Sequence, residues 1–182
     1  MTERRNVIVL DTETDGLDTE LNRAVEVGYL SWPDGDTGPR GLFIPPHTLD
    51  YATPEALRIN GYHQRIAHRR RDYGYAQTRA LHDALSGNTL AGANVAFDAA
   101  MLSHLFREAN LRPYAPWHHR LLDIEAYAGG LLGFAPWDLP GLTRLCETVG
   151  VPPGDHGAWA DAVAAWHVLS AVADHAEALV TA

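Results

Sequence analysis

The run Asn6-Val-Ile-Val-Leu-Asp11 is continuously apolar between its two polar ends and rich in β-branched residues. It predicts a central strand covered on both faces, with Asp11 at its exit. Ala24 to Trp32 and Arg40 to Pro45 predict two further strands. Between them, Pro33-Asp-Gly-Asp-Thr-Gly-Pro39 is dense in turn formers, so the first three strands read as an antiparallel meander. Thr53-Pro-Glu-Ala-Leu57 predicts a short helix with Thr53 as N-cap and proline in its first position, closing near Gly61. A second helix is predicted over Tyr75 to Leu85, a fourth strand over Thr89 to Val95, and a helix over Phe97 to Ala109, where Phe97, Met101, Leu102, Leu105 and Phe106 recur at helical spacing. His119 to Ile124 predicts a fifth strand. Loops rich in Gly and Pro follow, then a helix over Leu139 to Val149, a break at Pro152-Pro-Gly154, and a long Ala-rich helix from about Ala158 to the end. Three antiparallel strands followed by βα units predict an α/β fold: a mixed five-stranded sheet flanked by helices.

Composition narrows this only a little. A chain of 182 residues suits one domain, 1–182, and 46% hydrophobic with 20% charged residues excludes a disordered chain. The formal charge of −9 argues against a protein that coats nucleic acid by bulk electrostatics. It leaves open an enzyme whose clustered carboxylates hold divalent cations, because the cations then meet the phosphate. Every basic residue is Arg, to which no function is attached. Cys146 is the sole cysteine, which excludes an intrachain disulfide and a Cys-based zinc site. Met1 to Asn6 leads into too short an apolar run for a signal peptide or membrane span, so a cytoplasmic protein with no membrane partner is expected.

Three segments carry candidate chemistry. In Asp11-Thr-Glu-Thr-Asp-Gly-Leu17, residues two apart on a strand share a face, so Asp11 and Glu13 are neighbours. Two adjacent carboxylates repel unless a cation lies between them, and Mg²⁺ or Mn²⁺ accepts oxygen ligands; the alternative is a solvated acidic turn. In Asn94-Val-Ala-Phe-Asp98, Asp98 falls in the first helical turn, either as a dipole or capping carboxylate or as an acid delivered to the sheet edge that carries Asp11. In Asp155-His-Gly-Ala-Trp-Ala-Asp161, five residues of ideal helix turn through about 500°, so His156 and Asp161 meet only if His156 lies off the helix. A loop histidine beside a helix-borne carboxylate suits a base that takes a proton from water.

In this order, the three segments resemble the DEDDh exonucleases of the DnaQ-like group, which includes the proofreading subunit of bacterial replicative polymerase. The motifs there are Asp-x-Glu-Thr-x-Gly-Leu, Asn-x-x-Phe-Asp and His-x-Ala-x-x-Asp, matched by Asp11 to Leu17, Asn94 to Asp98 and His156 to Asp161. Glu26-Val-Gly28, Pro54-Glu-Ala-Leu57 with Gly61, and Asp123 add to the similarity, which covers nearly the whole chain. In the related Tyr class, the tyrosine stands four residues before the last Asp, where this chain has Gly157. Met101, Leu102 and Ile124 depart from the common pattern without touching a motif acid.

The resemblance implies an RNase H-like fold. It further implies that Asp11, Glu13, Asp98 and Asp161 assemble two divalent metal ions, Mg²⁺ or Mn²⁺, for in-line phosphodiester hydrolysis with His156 as general base. The backbone near Thr14 would meet the terminal 3′-hydroxyl, and Leu17 would wedge against the last base, giving low sequence specificity. Phe97 is a candidate lining residue with a core role as its alternative. The basic run Tyr62 to Arg71 divides between a solvated loop and a strand-guiding segment, with Arg69, Arg70 and Arg71 as candidate phosphate contacts. The expected substrate is the 3′ end of single-stranded DNA, in proofreading or repair. RNA trimming and an inactive metal-binding subunit of a replication complex are the alternatives, and a polymerase partner cannot be inferred.

Overall fold

The computed structural model describes residues 5–35, 42–43, 48–67 and 74–181. Arg69, Arg70 and Arg71 lie outside the described residues, so the guiding role expected of them is untested. Among the described residues the sheet has five strands in the order β3-β2-β1-β4-β5: β1 (Val7–Thr14), β2 (Ala24–Trp32), β3 (Leu42–Phe43), β4 (Thr89–Gly92) and β5 (Leu122–Asp123). β1 pairs antiparallel with β2, and β2 with β3; β4 runs parallel to β1, and β5 parallel to β4. This is the mixed sheet that the meander followed by βα units predicts.

Helices cover both faces of the sheet. On one side lie α2 (Tyr75–Leu85) and α3 (Val95–Glu108), whose Leu81, Leu85, Met101, Leu102 and Phe106 pack against Ile8, Leu10 and Leu90. On the other lie α4 (Ile124–Leu131), α5 (Leu142–Val149) and α6 (Ala158–Thr181), packed on Val9, Leu30 and Ala91. Alternation along β1 therefore sends Ile8 and Leu10 to the α3 face and Val9 to the α6 face, and that parity carries on into the acidic residues that follow. α1 (Pro54–Ile59) starts as expected, with the Thr53 side chain accepting from the Ala56 N–H at 3.2 Å.

Several boundaries differ from the sequence expectation, each for a local reason. β1 runs on through Asp11 to Thr14, because β2 pairs with it all the way to Ala24, so both motif acids stand on the strand and not beyond it. β4 stops at Gly92, and Val95 already belongs to α3. The fifth strand is only Leu122–Asp123, and its end is set by Asp123, whose carboxylate accepts from the Ala126 N–H at 2.9 Å and opens α4, where loops were expected. α5 begins at Leu142, after Pro140 and Gly141. Tyr62–Ile66, the start of the basic run, forms a π-helical turn. No helix among the described residues is long and apolar enough to cross a membrane.

Candidate active site

Parity on β1 decides which helix each acid meets. Asp11 and Glu13 share the α6 face, while Thr12 points to the α3 face. Across the ladder, Asp11 stands opposite Gly28 and Glu13 opposite Glu26. A Cβ at position 28 would overlap the Ala158 carbonyl and the Trp159 amide, so the missing side chain lets the first turn of α6 come down onto the sheet. That approach brings Asp161, in the first turn of α6, to Asp11 and Glu13: one carboxylate oxygen from each of the three lies within 4.8 Å of the others.

Asp98 reaches the same strand from the opposite layer. Its Oδ1 accepts from the Thr12 N–H at 3.0 Å and from the Thr12 hydroxyl at 2.7 Å, and it lies outside the three-carboxylate cluster. Asp98 is close enough to repel Asp11 nonetheless. His156 stands off the helix, in the loop 150–157, exposed and in left-handed backbone at φ 61°. Its main chain hydrogen-bonds the Asp161 carboxylate, and its imidazole attracts the same group. The five motif residues are thus gathered from β1, α3, the loop and α6.

The acids are crowded and partly dry. Burial, then repulsion by Asp98, Asp161 and Glu13, holds the Asp11 carboxyl well above the usual carboxylate range. Burial, with Asp161 and Glu26 adding to it, pushes Glu13 up to about 8. Asp98 is pushed up to about 7 by burial, against the two Thr12 hydrogen bonds that favour its ionised form, and burial raises Asp161 as well. Burial is the first cause of each shift, and repulsion by neighbouring acids adds to it. An all-oxygen set of carboxylates in that condition fits a hard divalent cation such as Mg²⁺ or Mn²⁺.

An exonuclease family model, RNase_T, matches residues 8–169. The chain belongs to that family. Solved structures with the same fold include E. coli exonuclease I in a zinc-bound complex with single-stranded DNA, at TM-score 0.74 and 22% identity over 95% of this chain and 41% of that one. A product-bound exonuclease I gives TM-score 0.72 and 20% identity over 93% and 43%. The chain therefore spans about two fifths of the length of these structures. No curated protein matches it in sequence. The specific likeness to the proofreading subunit expected from the motifs gives way to this broader membership.

For this family member, the remaining expected contacts divide. Leu17 is 81% exposed. Thr14 is buried, with its hydroxyl donating to the Gly16 carbonyl at 2.7 Å and its own carbonyl accepting from Asn60 Nδ2 at 2.8 Å. Phe97 packs against the core of the α3 layer, its alternative reading. Sequence reasoning gave no site role to Thr12, Asn60 or the buried Glu26, and placed Arg65 only within the basic run Tyr62 to Arg71. A charged residue inside the apolar run Ala-Val-Glu-Val-Gly-Tyr-Leu was a usable signal for Glu26; its pairing with Arg65 gave none, because the two stand 39 residues apart.

Proposed function

We propose that this chain is a metal-dependent 3′→5′ exonuclease that removes nucleotides from the 3′ end of single-stranded DNA. The observation that carries this reading is the convergence of Asp11, Glu13 and Asp161 beside the loop histidine His156, in a chain of an exonuclease family. The exonuclease I structures that share the fold include complexes with single-stranded DNA and with a dA16 oligonucleotide, which supports DNA over RNA.

Asp11, Glu13 and Asp161 would hold one divalent ion, and a second would be served by Asp11 and, through water, by Asp98. Ions held there supply the charge that offsets the developing negative charge on the phosphodiester and the departing 3′-oxygen. His156, exposed on its loop, takes the proton from the attacking water, and the nucleotide leaves with a 5′-phosphate. Exposed Leu17 packs on the terminal base, while the main chain at Thr14, fixed by Asn60, faces the terminal sugar. Contact to a base face and not to base edges makes the enzyme tolerant of sequence.

The test is digestion of end-labelled single-stranded DNA and RNA of identical sequence in Mg²⁺, Mn²⁺ or EDTA, by wild type and Asp161→Ala. Laddering from the 3′ end of DNA that disappears in EDTA and in the variant is expected. Faster digestion of RNA would move the substrate to RNA. Digestion that persists in EDTA, or of neither strand under any condition, would overturn the mechanism.

A further inference from the structure

One ion pair next to the carboxylate cluster is not accounted for by metal or substrate binding. Glu26 sits on β2 opposite Glu13, its side chain only 3% exposed, and its Oε2 accepts from Arg65 NH2 at 2.8 Å. Arg65, on the π-helical turn, shares that same NH2 group among further acceptors: it reaches the Asn60 carbonyl at 2.9 Å and the His156 carbonyl at 3.4 Å, while Nε donates to the Asn60 carbonyl at 3.0 Å. Glu26 Oε2 in turn lies 3.4 Å from the Ala158 N–H. Between these two contacts is Gly157, where a Cβ would stand 2.8 Å from Arg65 NH1, so the guanidinium closely approaches a residue that has no side chain.

The ion pair therefore touches the chain immediately before and immediately after Gly157. Asn60 extends the connection, because its Nδ2 donates to the Thr14 carbonyl at the end of the strand that carries Asp11 and Glu13. His156 needs such support. Its φ of 61° lies in the left-handed region that few residues with a Cβ occupy, so contacts that hold the chain there help to set its position. A planar guanidinium with five N–H donors can serve three acceptors at once; an ammonium on a flexible stem cannot hold the same spread.

We propose that Arg65 and Glu26 form a clasp that positions His156 over the carboxylate cluster, with Arg65 as a positioning residue for the general base. This rests on the exonuclease reading above. The clasp acts through the backbone at residues 156 to 158 and not through substrate. It accounts for a buried carboxylate on β2 that would otherwise be an uncompensated charge in the core.

The decisive measurement is a double-mutant cycle in steady-state digestion of single-stranded DNA by wild type, Arg65→Ala, His156→Ala and the double variant. Arg65→Ala is expected to lower kcat by about 10- to 100-fold, the scale of a misplaced catalytic group, with KM within a few-fold of wild type. In the His156→Ala background the same change should cost almost nothing further, because nothing remains to be positioned. Added guanidinium should recover part of the Arg65→Ala loss, and Arg65→Lys should not restore wild-type kcat. Loss of a nearby cation cannot weaken divalent binding by electrostatics, so half-saturation by Mn²⁺ should be unchanged or tighter.

Equal loss of kcat in both backgrounds would overturn the proposal, as would weaker Mn²⁺ binding that accounts for the whole effect. If Arg65→Ala does not fold, Arg65→Gln, and Gly157→Ala which pushes the guanidinium away, enter the same cycle. Wild type inactive on both DNA and RNA would end the exonuclease reading by itself. The clasp is then still decided by the backbone amide dynamics of His156 and Gly157 in NMR: greater mobility in the variant supports it, and unchanged mobility overturns it.

Discussion

Replacing Glu13 by Gln should stabilise the metal-free protein at alkaline pH while removing its response to metal. Glu13 is a carboxyl that burial and its acidic neighbours push from an ordinary 4.5 up to about 8. A group whose folded value lies above its unfolded one keeps its proton longer in the native state. Its stabilising contribution is full below about 4.5 and is lost as pH rises toward 8. At pH 8 that displacement sets an upper limit of roughly 4–5 kcal/mol against the folded state. Sharing of protons among the four acids, and water at the rim, bring the realised figure to roughly half of this, about 2 kcal/mol. In a chain of 182 residues that is a rise in Tm of about 4–8 °C for Glu13→Gln in EDTA at pH 8. At pH 5 the two proteins should differ little. Thermal melts of both proteins in EDTA from pH 5 to 8, repeated at pH 8 with Mn²⁺, make the comparison. Mn²⁺ should raise the Tm of wild type and have much less effect on the variant. A Tm difference that does not grow between pH 5 and pH 8, or a variant less stable than wild type at pH 8 in EDTA, would refute the view of this site as a repelling carboxylate cluster that awaits a cation.

Three further outcomes follow from the same geometry. His156→Ala should lower kcat on single-stranded DNA by about 10²- to 10⁴-fold, the range for a lost general base, while Mn²⁺ binding followed by calorimetry stays intact; loss of metal binding would place His156 among the ligands instead. Gly28→Ala drives a methyl group into the Ala158 and Trp159 backbone, so urea unfolding should show a loss of about 1–3 kcal/mol, and Asp161 should be drawn away from Asp11 with loss of activity. Unchanged stability would mean that α6 is not seated where that contact puts it. Thr12→Val removes the 2.7 Å hydroxyl bond to buried Asp98 and should cost about 1–3 kcal/mol in urea unfolding; if the variant is as stable as wild type, Asp98 is not held by this bond.

Much of the architecture was legible because hydrophobic runs are local. The bounds of β2 and α2 follow directly from apolar periodicity and flanking turn residues. α4 was not legible, because Gly129 and Gly130 make Ile124–Leu131 read as loop, and only the Asp123 cap and packing of Ile124 and Ala128 into the core make it a helix. The π-helical turn at Tyr62–Ile66 has no sequence period of its own; Tyr62 and Ile66 are drawn in to pack with Val25.

For the site, sequence by itself determined which chemistry was available. Asp11 and Glu13 share a face because a strand alternates, and the three motifs name the acids and the histidine of an exonuclease family. What only the tertiary structure decided is how these groups meet. Asp161 joins Asp11 and Glu13 because Gly28 lets α6 approach the sheet, whereas Asp98 arrives from the other layer and bonds Thr12, outside the cluster. Glu26 and Arg65 find each other across 39 residues only once β2 and the π-helical turn are packed. The reason is physical: alternation and propensity act between neighbours in sequence, while close approach, burial and repulsion between charges arise only when distant segments share the same space.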